Sequence, residues 1–401
     1  MTGGWRRRLR TADPLLVLLV LPFLVATAVG LVLLWPDDVR PAPPEGAADI
    51  GELVDAQVVS VRRAPCTGAP STDGPGCATA TVRLLDGPSE GREVVLPEEP
   101  VEGAGTVELE DGETVVLSYH ADAEPGFRYA LADFERRGPL LALGALFVVA
   151  VLVTARWRGA RALLGTAASL VVVVTFVLPA LLDGSDPLAV ALVGAAVIAV
   201  LAVYLTHGVS ASSTTALLGT LISLAVVGVL ALVFVDLARF TGLASEESGY
   251  LTVTAGQIDL QGLLLGGIVI GALGVLDDVT VTQVSAVGEL RKANESYGRR
   301  DLYRSALAVG RDHIASAVNT LVLAYVGASL PLLLLFTQAG QELRDVVTGE
   351  AVAVEVVRTL TGSIGLVASV PLTTALAAFV VDRRARRHPS SDRAQPAPER
   401  R

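Results

Sequence analysis

Eight long apolar runs decide most of what this chain can become. They cover residues 14–35, 139–155, 162–182, 188–205, 214–235, 260–282, 314–336 and 359–381. Runs of about 17–25 apolar residues match a hydrocarbon core of ~30 Å at a rise of ~1.5 Å per helical residue. Helices satisfy every backbone N–H and C=O internally, which hydrocarbon demands. The expected fold is therefore an all-α polytopic membrane bundle of about eight transmembrane helices. Composition points the same way. Of 401 residues, 52% are hydrophobic and 18% charged, against roughly 25% charged in soluble domains. That excludes a soluble globular chain and a disordered one. No repeat relates the helices, so an inverted-repeat transporter design is not expected.

Arginine placement orients the bundle. Arg6, Arg7, Arg8 and Arg10 precede the first span. Arg156, Arg158 and Arg161 separate the second and third. Arg291, Lys292, Arg299, Arg300, Arg304 and Arg311 separate the sixth and seventh, and Arg383, Arg384, Arg386 and Arg387 follow the eighth. With eight spans these segments share one side, the cytoplasm of a plasma-membrane protein. The basic tail 383–401 and the segment 1–13 are then cytoplasmic. The opposite loops carry Asp183, Asp186, Glu246, Glu247, Glu342, Asp345, Glu350 and Glu355. The first span also resembles a signal peptide, with Ala26-Thr27-Ala28 as a cleavage-like site. Its apolar run continues to Trp35, longer than a signal-peptide core, so an uncleaved anchor is expected.

Residues 36–137 fall outside the membrane in this topology. They hold 21 Asp and Glu against 8 Arg, net −13. The rest of a chain of net charge −10 is therefore net +3. Such an acidic block argues against a nucleic-acid partner. Residues 36–48 read as a Pro-rich linker. Residues 49–137 carry alternating runs at Val54–Val61, Ala78–Leu84, Arg92–Leu96, Thr114–Tyr119 and Phe127–Leu131, with turns at Asp86-Gly87, Glu90-Gly91 and Asp111-Gly112. Five strands in this length predict a small all-β, barrel-like, OB-like domain. Cys66 and Cys77 are the only cysteines, and an oxidising exterior predicts a disulfide between them.

Polar residues inside apolar spans are costly and therefore informative. A carboxylate at mid-membrane costs roughly 2.5–3.5 kcal/mol on insertion scales. The sixth span carries Asp277, Asp278, Thr280, Thr282 and Gln283. Steps of three and four place Gly267, Gly271, Gly274, Asp278, Thr282, Ser285 and Glu289 on one stripe. The glycine half predicts close packing against another helix. The polar half is expected to stay on that buried face, with Asp278 meeting Asn319 of the seventh span. Asp277 is rotated by about 100° from it. Pro331 and Pro371 predict kinks in the last two spans. The segment His207–Thr215 reads either as a re-entrant stretch or as a tight turn with an N-cap.

Patterns for catalysis are missing. There is no G-x-S-x-G, no H-E-x-x-H and no phosphate-binding glycine loop. Gly-Val-Leu before Asp277-Asp278 does not match an intramembrane aspartyl protease. Four scattered histidines, His120, His207, His313 and His388, do not suggest a metal site. The chain is expected to be no enzyme, with no cofactor.

The stretch Gly271–Asn294, GALGVLDDVTVTQVSAVGELRKAN, resembles the signature of the YibE/F family of bacterial membrane proteins. Gly310–Pro331, Ile258-Asp259-Leu260, and the external Glu90-Gly91 and Asp111-Gly112-Glu113 resemble it too. The resemblance spans about residues 50–382. It implies multi-pass membrane character and places the family's Asp-rich motif on Asp277 and Asp278. It brings no established activity. Two readings follow: a transporter or permease with an intramembrane Asp site for a small solute or ion, or a non-catalytic scaffold or sensor presenting the external domain to an envelope protein.

Overall fold

A computed structural model describes residues 14–36, 51–65, 76–97, 99–100, 108–124, 126–254, 258–340 and 342–387. They belong to two compact units, Glu45–Thr154 and the combination of Met1–Pro44 with Ala155–Arg401.

The first unit carries the sheet. Its strands are β1 (Glu52–Pro65), β2 (Gly76–Leu84), β3 (Glu93–Val95), β4 (Glu99–Pro100), β5 (Thr114–Tyr119) and β6 (Tyr129–Phe134). All pairings are antiparallel in the order β3-β2-β1-β5-β6, with β4 also on β2. Alternation turns Val54, Ala56 and Val58 of β1 inward with Ala80, Val82, Leu84, Val115 and Leu117. The turns form where Asp-Gly pairs stand. Gly87 has φ +82°, and a Cβ there would meet Val54 at 2.8 Å, so only glycine fits. Asp86 accepts the Asp55 N–H at 2.7 Å, and Asp111 accepts that of Val61 at 2.9 Å. The five expected strands are present. The expected barrel is corrected to an open sheet, because β3 and β6 end the order without pairing to each other. Cys77 opens β2 opposite Ala64; Cys66 lies outside the described residues.

The helices are α1 (Pro14–Leu33), α2 (Arg137–Val172), a π-helical turn (Val173–Val177), α3 (Leu178–Leu182), α4 (Pro187–His207), α5 (Ala211–Leu237), α6 (Glu246–Thr254), α7 (Leu260–Ala293), α8 (Arg299–Ala328), α9 (Leu330–Gln338), α10 (Leu343–Thr348) and α11 (Glu350–Arg387). Six helical stretches are long and apolar enough to cross a membrane, and α8 with α9 makes a seventh candidate bent by 58°. The break expected between the second and third spans is present at Arg156, where two helices meet in a kink at φ 51°, ψ −129°. Residues 157–161, expected as loop, are helical. Good helix formers at Ala160–Leu164 carry the second of these helices past Arg158 and Arg161.

In the second unit α5, α7 and α11 pack on one another, with α4 also on α7 and α8 also on α11. The core joins Leu217, Leu221, Leu224 and Val227 of α5 to Leu265, Ile268, Val269, Ala272 and Leu276 of α7. Helix ends follow local chemistry. Asp186 accepts the Ala189 N–H at 2.7 Å, just before Pro187. The connection after α4 is a tight turn: Gly208 takes φ +75° and the Ser210 hydroxyl accepts the Ser213 N–H at 3.1 Å. Helices α7 and α8 run well beyond the apolar spans on their shared side. Val284, Val287, Leu302 and Ala306 there bury against Ala216, Ala377 and Ala378. The Arg-rich segment expected as a loop is thus mostly helical, broken only between Ala293 and Arg299. Pro331 sits just past the 58° bend, whereas Pro371 lies inside the unbroken helix α11.

Candidate functional site

Helix α7 has two different long faces. One is buried, at Gly262, Leu265, Val269, Ala272, Leu276, Thr280, Gln283 and Val287. Gly267 is half-buried on the other, where Gly271, Gly274, Asp278, Ser285 and Glu289 are exposed. The glycine stripe therefore does not carry the helix contact expected of it. A Cβ at Gly274 would meet nothing within 4 Å. Close approach occurs one residue over, at Gly266, where a Cβ would sit 3.1 Å from the Ala191 Cβ.

The buried face holds a polar layer shared by three helices. Thr280 and Thr220 of α5 are linked hydroxyl to hydroxyl at 2.7 Å. The Thr280 hydroxyl also lies 3.1 Å from the Asp277 carbonyl oxygen. Thr374 of α11 donates to Gln283 Oε1 at 2.9 Å. These hydroxyls answer part of the hydrogen-bond demand of α7 inside an apolar core. Gly310 of α8 lets Gln283 lie flat, since a Cβ there would fall 2.7 Å from Gln283 Nε2. Sequence reasoning named Thr280 and Gln283 but missed Thr220, Thr373 and Thr374. Their signal was available, as hydroxyls within otherwise apolar spans.

The open face carries charge. Asp278 Oδ2 lies 3.8 Å from His313 Nε2, with the Asp278 side chain 74% exposed and that of His313 34%. The expected Asp278–Asn319 pairing is corrected: Asn319 is exposed on α8, and His313, almost two turns earlier, faces Asp278 instead. Thr282 is half-buried beside this face. Asp277 is more enclosed than Asp278, which reverses the order that the stripe implied. Further along α7, a Cβ at Gly271 would lie 3.4 Å from Tyr325 Oη, and one at Gly267 3.9 Å from Arg358 Nη2. Arg358 is ion-paired with Glu355 at 3.5 Å. Tyr325 and Arg358 were not foreseen; Arg358 stands one residue before an apolar span, where it reads as a flank.

Several buried polar atoms have no hydrogen-bond partner among the described residues. They are Tyr129 Oη of the sheet and Asp277 Oδ1, Gln283 Nε2, His313 Nε2, Arg358 Nε, Ser223 Oγ, Ser363 Oγ and Thr373 Oγ1. The last seven lie on α5, α7, α8 and α11. A buried donor or acceptor left unpaired costs about 1–3 kcal/mol.

A family model described as YibE/F-like protein matches residues 143–383, more than half of the chain. The chain belongs to the YibE/F-like family. The match contains the whole polar cluster and leaves the sheet outside it. No curated protein and no solved structure matches the chain.

Proposed function

We propose that this YibE/F-like protein is a plasma-membrane transporter or permease. It passes a small hydrophilic solute or an ion along the open face of α7, without chemical conversion and without a cofactor. The observation that carries this reading is the unpartnered Asp277 Oδ1, with His313 Nε2 beside Asp278 and Arg358 Nε beside Gly267. Gly267, beside Arg358, and Asp278, beside His313, are eleven residues apart, or about 16 Å along a helix. That is about half of the hydrocarbon thickness. Glycines between them leave the backbone approachable.

The proposed topology has eight crossings. A helix of 46 residues would be about 69 Å long at 1.5 Å per residue, more than twice the hydrocarbon core. A turn back at Arg156 makes two crossings of it. Both termini and the Arg-rich segments are then cytoplasmic, and the acidic sheet is outside, with a Cys66–Cys77 bridge. The alternative is a scaffold or sensor for an envelope protein. It draws on Leu53, Leu85, Val95 and Phe127, which are exposed on the sheet unit.

The test is ion flux into proteoliposomes, with entrapped dyes for protons, sodium and potassium in parallel sets and an imposed diffusion potential. At least one flux is expected in the wild type. Asp277→Asn and His313→Gln should each lower it tenfold or more, while Asn319→Ala leaves it unchanged. Absence of all three fluxes, with no growth defect of a deletion strain that Asp277→Asn fails to correct, would leave the scaffold reading ahead.

A further inference from the structure

A cavity of about 420 Å³ opens between the start of α8 and the end of α11, lined by Arg299, Arg300, Tyr303, Arg304, Ala375 and Ala378. It shares no lining residue with the polar atoms described above and does not rest on the transport reading. Its volume is within the ~300–1,000 Å³ usual for ligand pockets. Three guanidiniums share it, and none has a carboxylate partner among the described residues. Arg299 is stacked over the Phe379 ring at 4.8 Å, which fixes its plane while leaving its N–H donors free. The nearest acidic neighbour in sequence, Asp301, is committed to the Gly298 N–H at 3.0 Å. Guanidinium groups on one wall and small apolar residues on the other suit an anionic head with an apolar body.

Depth agrees with this chemistry. Ala378 and Ala375 lie three and six residues inside the end of the last apolar span. At 1.5 Å per residue that is about 4.5 and 9 Å, the boundary between headgroups and acyl chains. Tyr303 adds a hydroxyl at the same level, where tyrosine is favoured.

We propose that this cavity binds the phosphodiester of an anionic phospholipid from the cytoplasmic leaflet. Arg300 and Arg304 hold the phosphate, and Ala375 and Ala378 accommodate the first acyl carbons. The shared chemistry, a phosphate oxyanion, also belongs to free phosphate compounds, and the two sources are separable.

The full chain is purified in detergent, and retained phosphatidylglycerol is measured by native mass spectrometry against phosphatidylcholine. Phosphatidylglycerol should bind at least tenfold more tightly. Arg300→Gln with Arg304→Gln should remove that preference. Arg158→Gln with Arg311→Gln, an equal charge change outside the cavity, should alter it less than twofold. Ala375→Phe fills the cavity with every charge kept, and should weaken binding tenfold; it decides the matter where the double variant fails to fold. Equal binding of the two lipids overturns the proposal, as does equal loss with Arg158→Gln and Arg311→Gln together. Displacement of phosphatidylglycerol by millimolar glycerol 3-phosphate or inorganic phosphate overturns the lipid assignment.

Discussion

Replacing Gly310 by alanine tests where the bundle is tight. The new Cβ would stand 2.5 Å from Val370 Cγ1 and 2.7 Å from Gln283 Nε2. Ordinary carbon contacts begin near 3.5 Å, so α8 must retreat by roughly 1 Å or Val370 and Gln283 must leave their positions. Overpacking of this kind costs about 1–3 kcal/mol. Displacing Gln283 also endangers its 2.9 Å bond from Thr374, adding about 1 kcal/mol. Alanine returns up to ~1 kcal/mol through its helix propensity. The net expectation for Gly310→Ala is a loss of about 1–3 kcal/mol. Gly274→Ala should do the opposite. Nothing lies within 4 Å of its Cβ, so only the propensity gain of up to ~1 kcal/mol remains. Denaturation in mixed detergent–SDS micelles measures both. The reasoning fails if Gly310→Ala lies within about 0.5 kcal/mol of wild type, the margin expected of a site without such contacts. It fails equally if Gly274→Ala is as costly, since the glycine stripe would then be pressed against a partner.

Three further outcomes are expected. Single cysteines near Arg158, Arg299 and Arg386 should label from the cytoplasm, and those near Asp186 and Glu350 from outside; Arg299 labelled from outside ends the eight-crossing topology. Peptide mapping without reductant should recover one Cys66–Cys77 linked pair, and its reduction should cost the sheet on the order of 3 kcal/mol; two alkylated thiols in the native protein would refute it. Burial, then the Arg161 and Arg158 guanidiniums, hold His207 below its ordinary value. The folded chain therefore keeps it neutral while the unfolded chain takes up a proton near pH ~6.5. Stability should be present above that pH and fall as pH drops through and below it. The melting temperature in detergent should decline toward about pH 5.5, less steeply in His207→Gln; identical pH profiles would sink this account.

Much of the fold was legible because hydrocarbon and pleated sheets impose simple periods. Val54, Ala56 and Val58 alternate as a one-sided strand must, and Asp86-Gly87 turns where only glycine takes φ +82°. Closure of the sheet was not legible, since edge pairing depends on twist and strand length rather than on alternation. The break after the second span stands at Arg156, but residues 157–161 are helix rather than loop: Arg-rich composition marks a membrane side, whereas Ala and Leu around it favour helix. The orientation of α7 was the hardest feature. Gly262, Gly266 and Gly267, Gly271, Gly274 give two small-residue rows about 100° apart. Their ranking depends on Pro187, Ala191 and Thr220 from other helices, which one sequence does not align.

The same two rows assign different mechanical roles to the helices of the site. Thr220–Thr280 and Thr374–Gln283 tie α7 to α5 and α11 from inside the core. Opening that face would expose polar pairs to lipid and strip apolar contacts together, so α7 is the fixed wall. Helix α8 is different. Leu302, Ala306 and Gly310 are its buried residues, all in its first half. Beyond Ser316 its residues are mostly exposed up to the 58° bend into α9, which buries none. Low burial marks the segment that opens at least cost. Under the transport proposal, a conformational change beside Asp277, Asp278 and His313 should therefore move the second half of α8 with α9 while leaving α7 in place. Cross-linking α8 to α7 through cysteines at Tyr325 and Gly271 should then block flux, whereas cysteines at Thr220 and Thr280 should link without effect.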